Sequence, residues 1–181
     1  MTRIFAAALA LALAVCAVPA GAQPQQLTPE AFYGTWSGGG VAENRDSVYF
    51  AMTVRDIDVA IKPAGNGFTV SWTTVIRQGG DPRQPNVRRR ETTRTFRPAA
   101  TGRVWRCVES GDPLDGKEAC WARISRQTLT IYQMTVLPTG TYEIEQYDRT
   151  LSGTGMDLKF SRLRDRETAR VVTGKLVKTG P

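Results

Sequence analysis

Hydrophobic residues alternate with polar or small residues along most of the chain, which predicts β-strands. In SVYFAMTV the alternating apolar positions end at Val54, and in DIDVAI they resume on the opposite parity at Ile57 and Ile61. Residues of one parity face the same side of a strand. The switch therefore predicts a β-bulge or bend near Arg55 and Asp56 that re-aims a long strand.

Further stretches repeat this alternation at short intervals. They are FTVSWTTVI, VRRRETTRTF, RVWRCVE, ACWARI, TLTIYQMTV, TYEIEQY, GMDLKFSRL and ARVVTGKLV. Sequences rich in turn-forming residues, such as AGNG, GGDPRQPN and LPTG, separate several of them. No segment has sustained helical periodicity. We predict an all-β fold, an antiparallel up-and-down meander of eight to ten strands closed into a barrel, with a sandwich as the alternative.

The N-terminal segment has the pattern of a secretory signal peptide. A basic start at Met1–Arg3 precedes an apolar run over Ile4–Val18 and small residues at Ala20–Ala22. We predict a signal peptide over residues 1–22 and a single barrel domain over residues 23–181. The run is shorter than the roughly 20 residues of a membrane-spanning helix, so we expect an exported protein, periplasmic or secreted, without a transmembrane span. Lipid anchoring through Cys16 is the less favoured alternative, because Val15 precedes it.

Cysteine and histidine usage narrows the chemistry. Export to an oxidising compartment favours a disulfide between Cys107 and Cys120, which would staple a hairpin, with two free thiols as the alternative. The chain contains 0 histidines. That absence excludes Ser-His-Asp and Cys-His catalysis and imidazole metal sites. We therefore expect no metal and no cofactor.

The segment LTPEAFYGTW introduces the first strand. TPEAF predicts a single helical or 3₁₀ turn, with Thr28 at the N-cap and Pro29 at the first position. Gly34, Thr35 and Trp36 follow. A tryptophan at the start of a strand can plug the end of a barrel with a large apolar ring.

This segment resembles the lipocalins and, more broadly, the calycin superfamily, whose first strand carries a G-x-W motif after a short 3₁₀ turn. The resemblance implies a lipocalin-like barrel, closed by Gly34, Trp36 and an arginine that packs on the tryptophan. Arg162 is the candidate for that arginine, because its parity in GMDLKFSRL matches that of Phe160. Arg164 has the same parity and is the alternative.

Aromatic residues are the candidates for an interior ligand site. Phe50, Trp72 and Tyr132 are large enough to line a cavity. A small barrel can either fill its interior with side chains or hold one small ligand. The sequence leaves both outcomes open.

Basic and acidic residues form a second set of candidates. Arg88, Arg90 and Arg94 share one strand face in a stretch where Glu91 is the opposing charge. Arginine suits bidentate contact with an anionic surface, a lipid headgroup or an acidic protein. The alternative is a solvated edge strand, made basic to prevent edge-to-edge pairing. Export disfavours nucleic acid as a partner.

Glu143 and Glu145 also share a strand face, and we expect them to point to solvent.

These features favour a non-enzymatic binding protein. The leading hypothesis is a lipocalin-like barrel for a small apolar or amphipathic ligand or a lipid. The alternative is a periplasmic protein-binding module, such as a protease inhibitor. An enzyme based on carboxylates or tyrosine lacks a recognisable nucleophile–base set.

Overall fold

A closed antiparallel barrel accounts for nearly all of the described chain. The computed structural model describes residues 26–45, 52–78 and 86–181. Each strand pairs with its neighbours in sequence, and the first strand pairs with the last to close the sheet. The predicted all-β meander is therefore confirmed. The described residues form β1 Gly34–Asn44, β2 Met52–Ala64, β3 Gly67–Gln78, β4 Asn86–Pro98, β5 Val104–Cys107, β6 Ala119–Ser125, β7 Thr128–Val136, β8 Tyr142–Ser152, β9 Gly155–Arg164 and β10 Glu167–Gly180, with 3₁₀ turns at Pro29–Phe32 and Pro113–Asp115.

The N-terminal region lies outside this description. Residues 1–25 are not described, so the predicted signal peptide and Cys16 fall outside the described residues. No helix in the described ranges has the length and hydrophobicity of a membrane span.

A hydrophobic core fills one end of the barrel beneath the N-terminal 3₁₀ turn. Phe32 from that turn is fully buried, and Phe68 stacks on Phe96 with ring centroids 5.1 Å apart. Trp105 meets Phe68 edge-on at 5.7 Å. Trp36 is buried in the same core, and its indole Nε1 donates a hydrogen bond to the Phe32 carbonyl at 3.1 Å. Burial of large aromatic rings makes this end a packed plug.

Gly34 permits the close approach of β1 and β10 at this end. Its φ is +132°, and a Cβ there would lie 2.7 Å from the carbonyl oxygen of Gly180. Any larger residue would be strained by its backbone and crowded by β10.

The cation over Trp36 is a lysine from β10. Lys178 places its Nζ 5.6 Å from the Trp36 ring centroid. The prediction that Arg162 packs on Trp36 is wrong, and so is the alternative of Arg164. Arg162 pairs with Arg170, whereas Trp36 pairs with Lys178, eight residues further along β10. Eight extended residues span about 26 Å, a distance that strand parity does not encode.

The predicted bulge in β2 is also absent. β2 pairs with β1 and β3 without a register shift across its length. Met52 and Val54 are 68% and 64% exposed, on the outer face of the barrel. Arg55 shares the parity of the buried Ile57 and points into the barrel. The apparent switch arose because polar residues face inward at this end of the strand.

The structure has Cys107 and Cys120 as buried free thiols and does not show the predicted disulfide. The pairing of Arg106 with Trp121 makes these cysteines the next opposed pair on β5 and β6. The Cys107 thiol donates to the Glu109 carboxylate at 3.1 Å. A hydrogen bond with Cys107, together with burial, raises the pKa of Cys120. Burial and this hydrogen bond favour the protonated form of Cys120, whereas disulfide exchange requires a thiolate.

Candidate functional site

A cavity of about 220 Å³ lies inside the barrel, away from the Trp36 plug. It is bounded by inward-facing residues of six strands, β2 to β4 and β8 to β10. The residues that line it are Arg55, Ile57, Trp72, Thr74, Ile76, Arg88, Arg90, Glu145, Tyr147, Arg149, Leu158, Phe160, Arg162, Arg170 and Val172. The cavity therefore combines an apolar wall with an unusual concentration of arginine.

The apolar wall is built from three aromatic rings in contact. Tyr147 lies between the other two, with its ring centroid 5.0 Å from Trp72 and 4.8 Å from Phe160. Tyr147 pairs with Phe160 across β8 and β9, and Trp72 projects from β3 on the other side of the barrel. Tilted packing at these separations is the favoured geometry for aromatic side chains. The wall can accept the apolar part of a ligand.

Arg149 lies against this wall and is completely buried, with 0% of its surface exposed. Its guanidinium carbon is 5.2 Å from the Trp72 ring centroid and 5.7 Å from that of Tyr147. Its Nε and Nη1 atoms have no hydrogen-bond partner. Burial lowers the pKa of Arg149 to about 10, against the opposing influence of Tyr147 and Asp148. The side chain is therefore still a cation at neutral pH.

Glu145, by contrast, is fully engaged by its neighbours. The Tyr147 hydroxyl donates to Oε2 of Glu145 at 2.6 Å, and Nε of Arg162 donates to Oε1 at 3.0 Å. Burial and the nearby Glu145 charge raise the pKa of Tyr147. Two residues before Glu145 on β8, Glu143 is bound by Arg164 at 2.9 Å. The expectation that Glu143 and Glu145 point to solvent is wrong, because arginines on β9 bind both carboxylates and leave little of their surface exposed.

Four more arginines surround the outer part of the cavity: Arg55, Arg88, Arg90 and Arg170. Arg88 and Arg90 are exposed, so the cavity reaches the surface beside them. Arg55 is half-buried, and its Nε has no hydrogen-bond partner. Burial lowers the pKa of Arg55, and the positive charges of Arg170 and Arg162 lower it further. The lining holds six arginines against Glu145, a formal charge of +5.

Of the three arginines that the sequence predicted to bind an anion, two line the cavity and one does not. Arg88 and Arg90 line the cavity, so this face of β4 points into the barrel instead of forming a solvated edge. Arg94 has the same parity but lies deeper, where Nη2 binds Oε1 of Glu118 at 2.7 Å. Gln133 donates to the same oxygen at 2.9 Å. Arg94 is therefore paired within the protein.

Of the three aromatic residues that the sequence predicted to line the cavity, the structure confirms one. Trp72 lines the cavity, whereas Tyr132 does not. Tyr132 stacks on Trp121 at 5.0 Å, on the opposite face of β7 from the buried Ile131, so its prediction as a lining residue is wrong. Phe50 lies outside the described residues.

Sequence reasoning missed Arg55, Tyr147 and Arg149. Their only signal was parity, because Tyr147 and Arg149 alternate with outward residues of β8 in the same register as the buried Phe160 and Leu158 of β9. Inward positions are usually apolar and arginine is rarely buried, so parity alone does not identify an inward arginine.

Comparisons with known proteins do not identify the function of the site. No family model matches the chain, and no curated protein matches it. Among solved structures, the S-type phycobiliprotein lyase CPES from Guillardia theta is similar over 83% of this chain and 91% of its own. The sequence identity is 11% and the TM-score is 0.37. A likeness of that extent supports no statement about the ligand or activity of this chain.

Proposed function

We propose that this protein binds a small amphipathic organic anion inside its barrel. The observation that carries the proposal is the buried Arg149, whose Nε and Nη1 lack hydrogen-bond partners inside a cavity. Buried polar groups in folded proteins are nearly always paired, and an unpaired buried charge is costly. A carboxylate or phosphate supplies the missing acceptors in the fork geometry that guanidinium prefers.

The size and wall of the cavity define the rest of the ligand. About 220 Å³ is the volume of roughly seven water molecules in the liquid. That volume is slightly below the range of about 300–1,000 Å³ usual for ligand sites. Trp72, Tyr147 and Phe160 offer flat apolar surface next to Arg149. The ligand is therefore a compact acid with an aromatic or short apolar body.

The proposal is of a binding protein without catalytic activity, exported from the cell. The lack of histidine supports the proposal of a non-catalytic protein, and so do the hydrogen bonds of Arg162 and Tyr147 to Glu145. The leader-like pattern of residues 1–22 supports the proposal of export.

Calorimetric titration with 2-naphthoate tests the binding function. The wild type should show saturable binding of one equivalent, and Arg149→Met should weaken it by about tenfold or more, as expected for a lost charge-assisted hydrogen bond. Arg106→Met is the matched control, because Arg106 is exposed and pairs with Trp121, outside the cavity. Equal binding by Arg149→Met and the wild type, or no binding by the wild type at millimolar naphthoate, would contradict the proposal.

A protein-binding module remains a second candidate because of one exposed apolar patch. Val41 lies directly opposite Val54 on the outer face of β1 and β2, and Met52 extends the patch. Native mass spectrometry of protein purified from its own source separates the two functions. A retained small acid supports the barrel ligand, whereas an empty barrel with a co-purifying protein supports the module.

A further inference from the structure

The cavity lining carries more positive charge than a single acidic group can neutralise. This step rests on the proposed function, which assigns a first anion to Arg149. Glu145 is already bound by Arg162, so its charge is not available to the other arginines. Arg55, Arg88 and Arg90 remain in the outer part of the cavity, and no described carboxylate pairs with any of them there. A ligand with a single acidic group at Arg149 leaves these charges facing one another.

Arg55 supplies a second buried position for an acidic group. Its Nε is buried without a hydrogen-bond partner, as are Nε and Nη1 of Arg149. These two cavity-lining arginines project from different strands, β2 and β8. Each position therefore has buried donors that an oxygen acceptor would satisfy.

On the β3 side of the barrel, the two arginines lie beside different residues. Arg55 pairs with Ile76, and Ile76 pairs with Arg88, so these three residues form one row across β2, β3 and β4. Arg149 contacts Trp72, which lies four residues before Ile76 on β3. Four extended residues span about 13 Å along the strand. Arg149 and the row of Arg55 therefore meet β3 at two separate points.

We infer that the ligand is a two-headed acid, with one anionic group held by Arg149, a rigid apolar body against Trp72 and Tyr147, and a second anionic group held by Arg55 and Arg88. Single-headed amphiphiles, such as a simple fatty acid, occupy only the first position. The second group offsets the positive charges of Arg55 and Arg88, which lie in one row. It also orients the ligand, because the two ends of the cavity differ in burial.

Two probes of the same shape test this inference by calorimetry. Naphthalene-2,6-dicarboxylate carries both acidic groups, and 6-carbamoyl-2-naphthoate replaces one of them with a neutral amide of equal size. The wild type should bind the diacid about tenfold more tightly or better, because a second charge-assisted contact is added. In Arg55→Gln this preference should fall to about twofold, with little change in affinity for the amide.

Arg149→Met and an outer-surface variant complete the design. Arg149→Met should weaken both probes by a similar factor, since both use the first position. Arg106→Gln removes the same charge from the outside of the barrel and should leave the preference for the diacid unchanged. A wild type that binds the two probes equally would overturn the two-headed ligand and leave the proposed function standing. An equal loss of preference in Arg55→Gln and Arg106→Gln would also overturn it, because the effect would then be general attraction. Failure to bind either probe would overturn both proposals.

Discussion

At the residue scale, Arg149 is where the stability of the barrel and the proposed ligand binding oppose each other. Its side chain is fully buried, and its guanidinium carbon lies 5.2 Å from the ring centroid of Trp72 and 5.7 Å from that of Tyr147. Burying a cation costs several kcal/mol even after relaxation, whereas a desolvated cation–π contact returns about 2 kcal/mol. Without a ligand, the balance at Arg149 is therefore unfavourable.

Replacing Arg149 with methionine should stabilise the empty protein. We expect the free energy of unfolding of Arg149→Met, measured by urea denaturation, to rise by about 1–4 kcal/mol, as for other buried charges replaced by apolar residues of similar volume. Arg90→Met, at an exposed position of the same cavity, should stay within about 0.5 kcal/mol of the wild type. A less stable Arg149→Met protein would mean that Arg149 is a structural element instead of a ligand contact.

At the scale of single elements, the N-terminal turn and β1 act as one plug. Trp36 packs in the core of the closed end and is tied to the turn by its hydrogen bond to Phe32. Trp36→Ala should lower the free energy of unfolding by about 3–5 kcal/mol, the usual range for a buried tryptophan. Trp121→Ala is the matched control, since Trp121 is half-exposed and stacks on Tyr132. Thermal denaturation that shows equal losses for both variants would contradict the plug.

Element by element, the sequence predicts the strands well and their inward faces poorly near the cavity. Alternation identified the stretch FTVSWTTVI as a strand, and β3 Gly67–Gln78 contains it. The same alternation predicted a bulge at Arg55, because it assumed that inward residues are apolar. Arg55, Arg149 and Tyr147 violate that assumption. Departures from local rules are expected where function is placed, so the failures of the pattern coincide with the candidate site.

The position of a residue along its strand was equally inaccessible to the sequence. Parity placed Arg162 inside the barrel, where it does lie. Only the register, which pairs it with Arg170 and Glu145, shows that it serves the cavity and not the Trp36 plug. Register depends on contacts between strands, so the sequence of a single strand does not determine it.

At the scale of the whole molecule, the cavity should make barrel stability depend on anions. Six arginines and one glutamate line the cavity, and the charges of Arg170 and Arg162 contribute to the lowered pKa of Arg55. An anion that binds only the folded barrel stabilises it by mass action, by about 1.4 kcal/mol at ten times its Kd. For a domain of this size, that corresponds to a rise in Tm of about 3–6 °C.

Sulfate compared with chloride at equal ionic strength provides the measurement. Sulfate raises Tm for any protein through its exclusion from the surface, so the expected result is a larger rise in the wild type than in the double variant Arg55→Gln, Arg149→Met. The double variant Arg106→Gln, Arg123→Gln removes the same charge from exposed positions on the outer face. It should keep the full rise, because the effect belongs to the enclosed arginines and not to the net charge of the chain. Equal rises in all three proteins would contradict this prediction, because sulfate would then not bind the enclosed arginines.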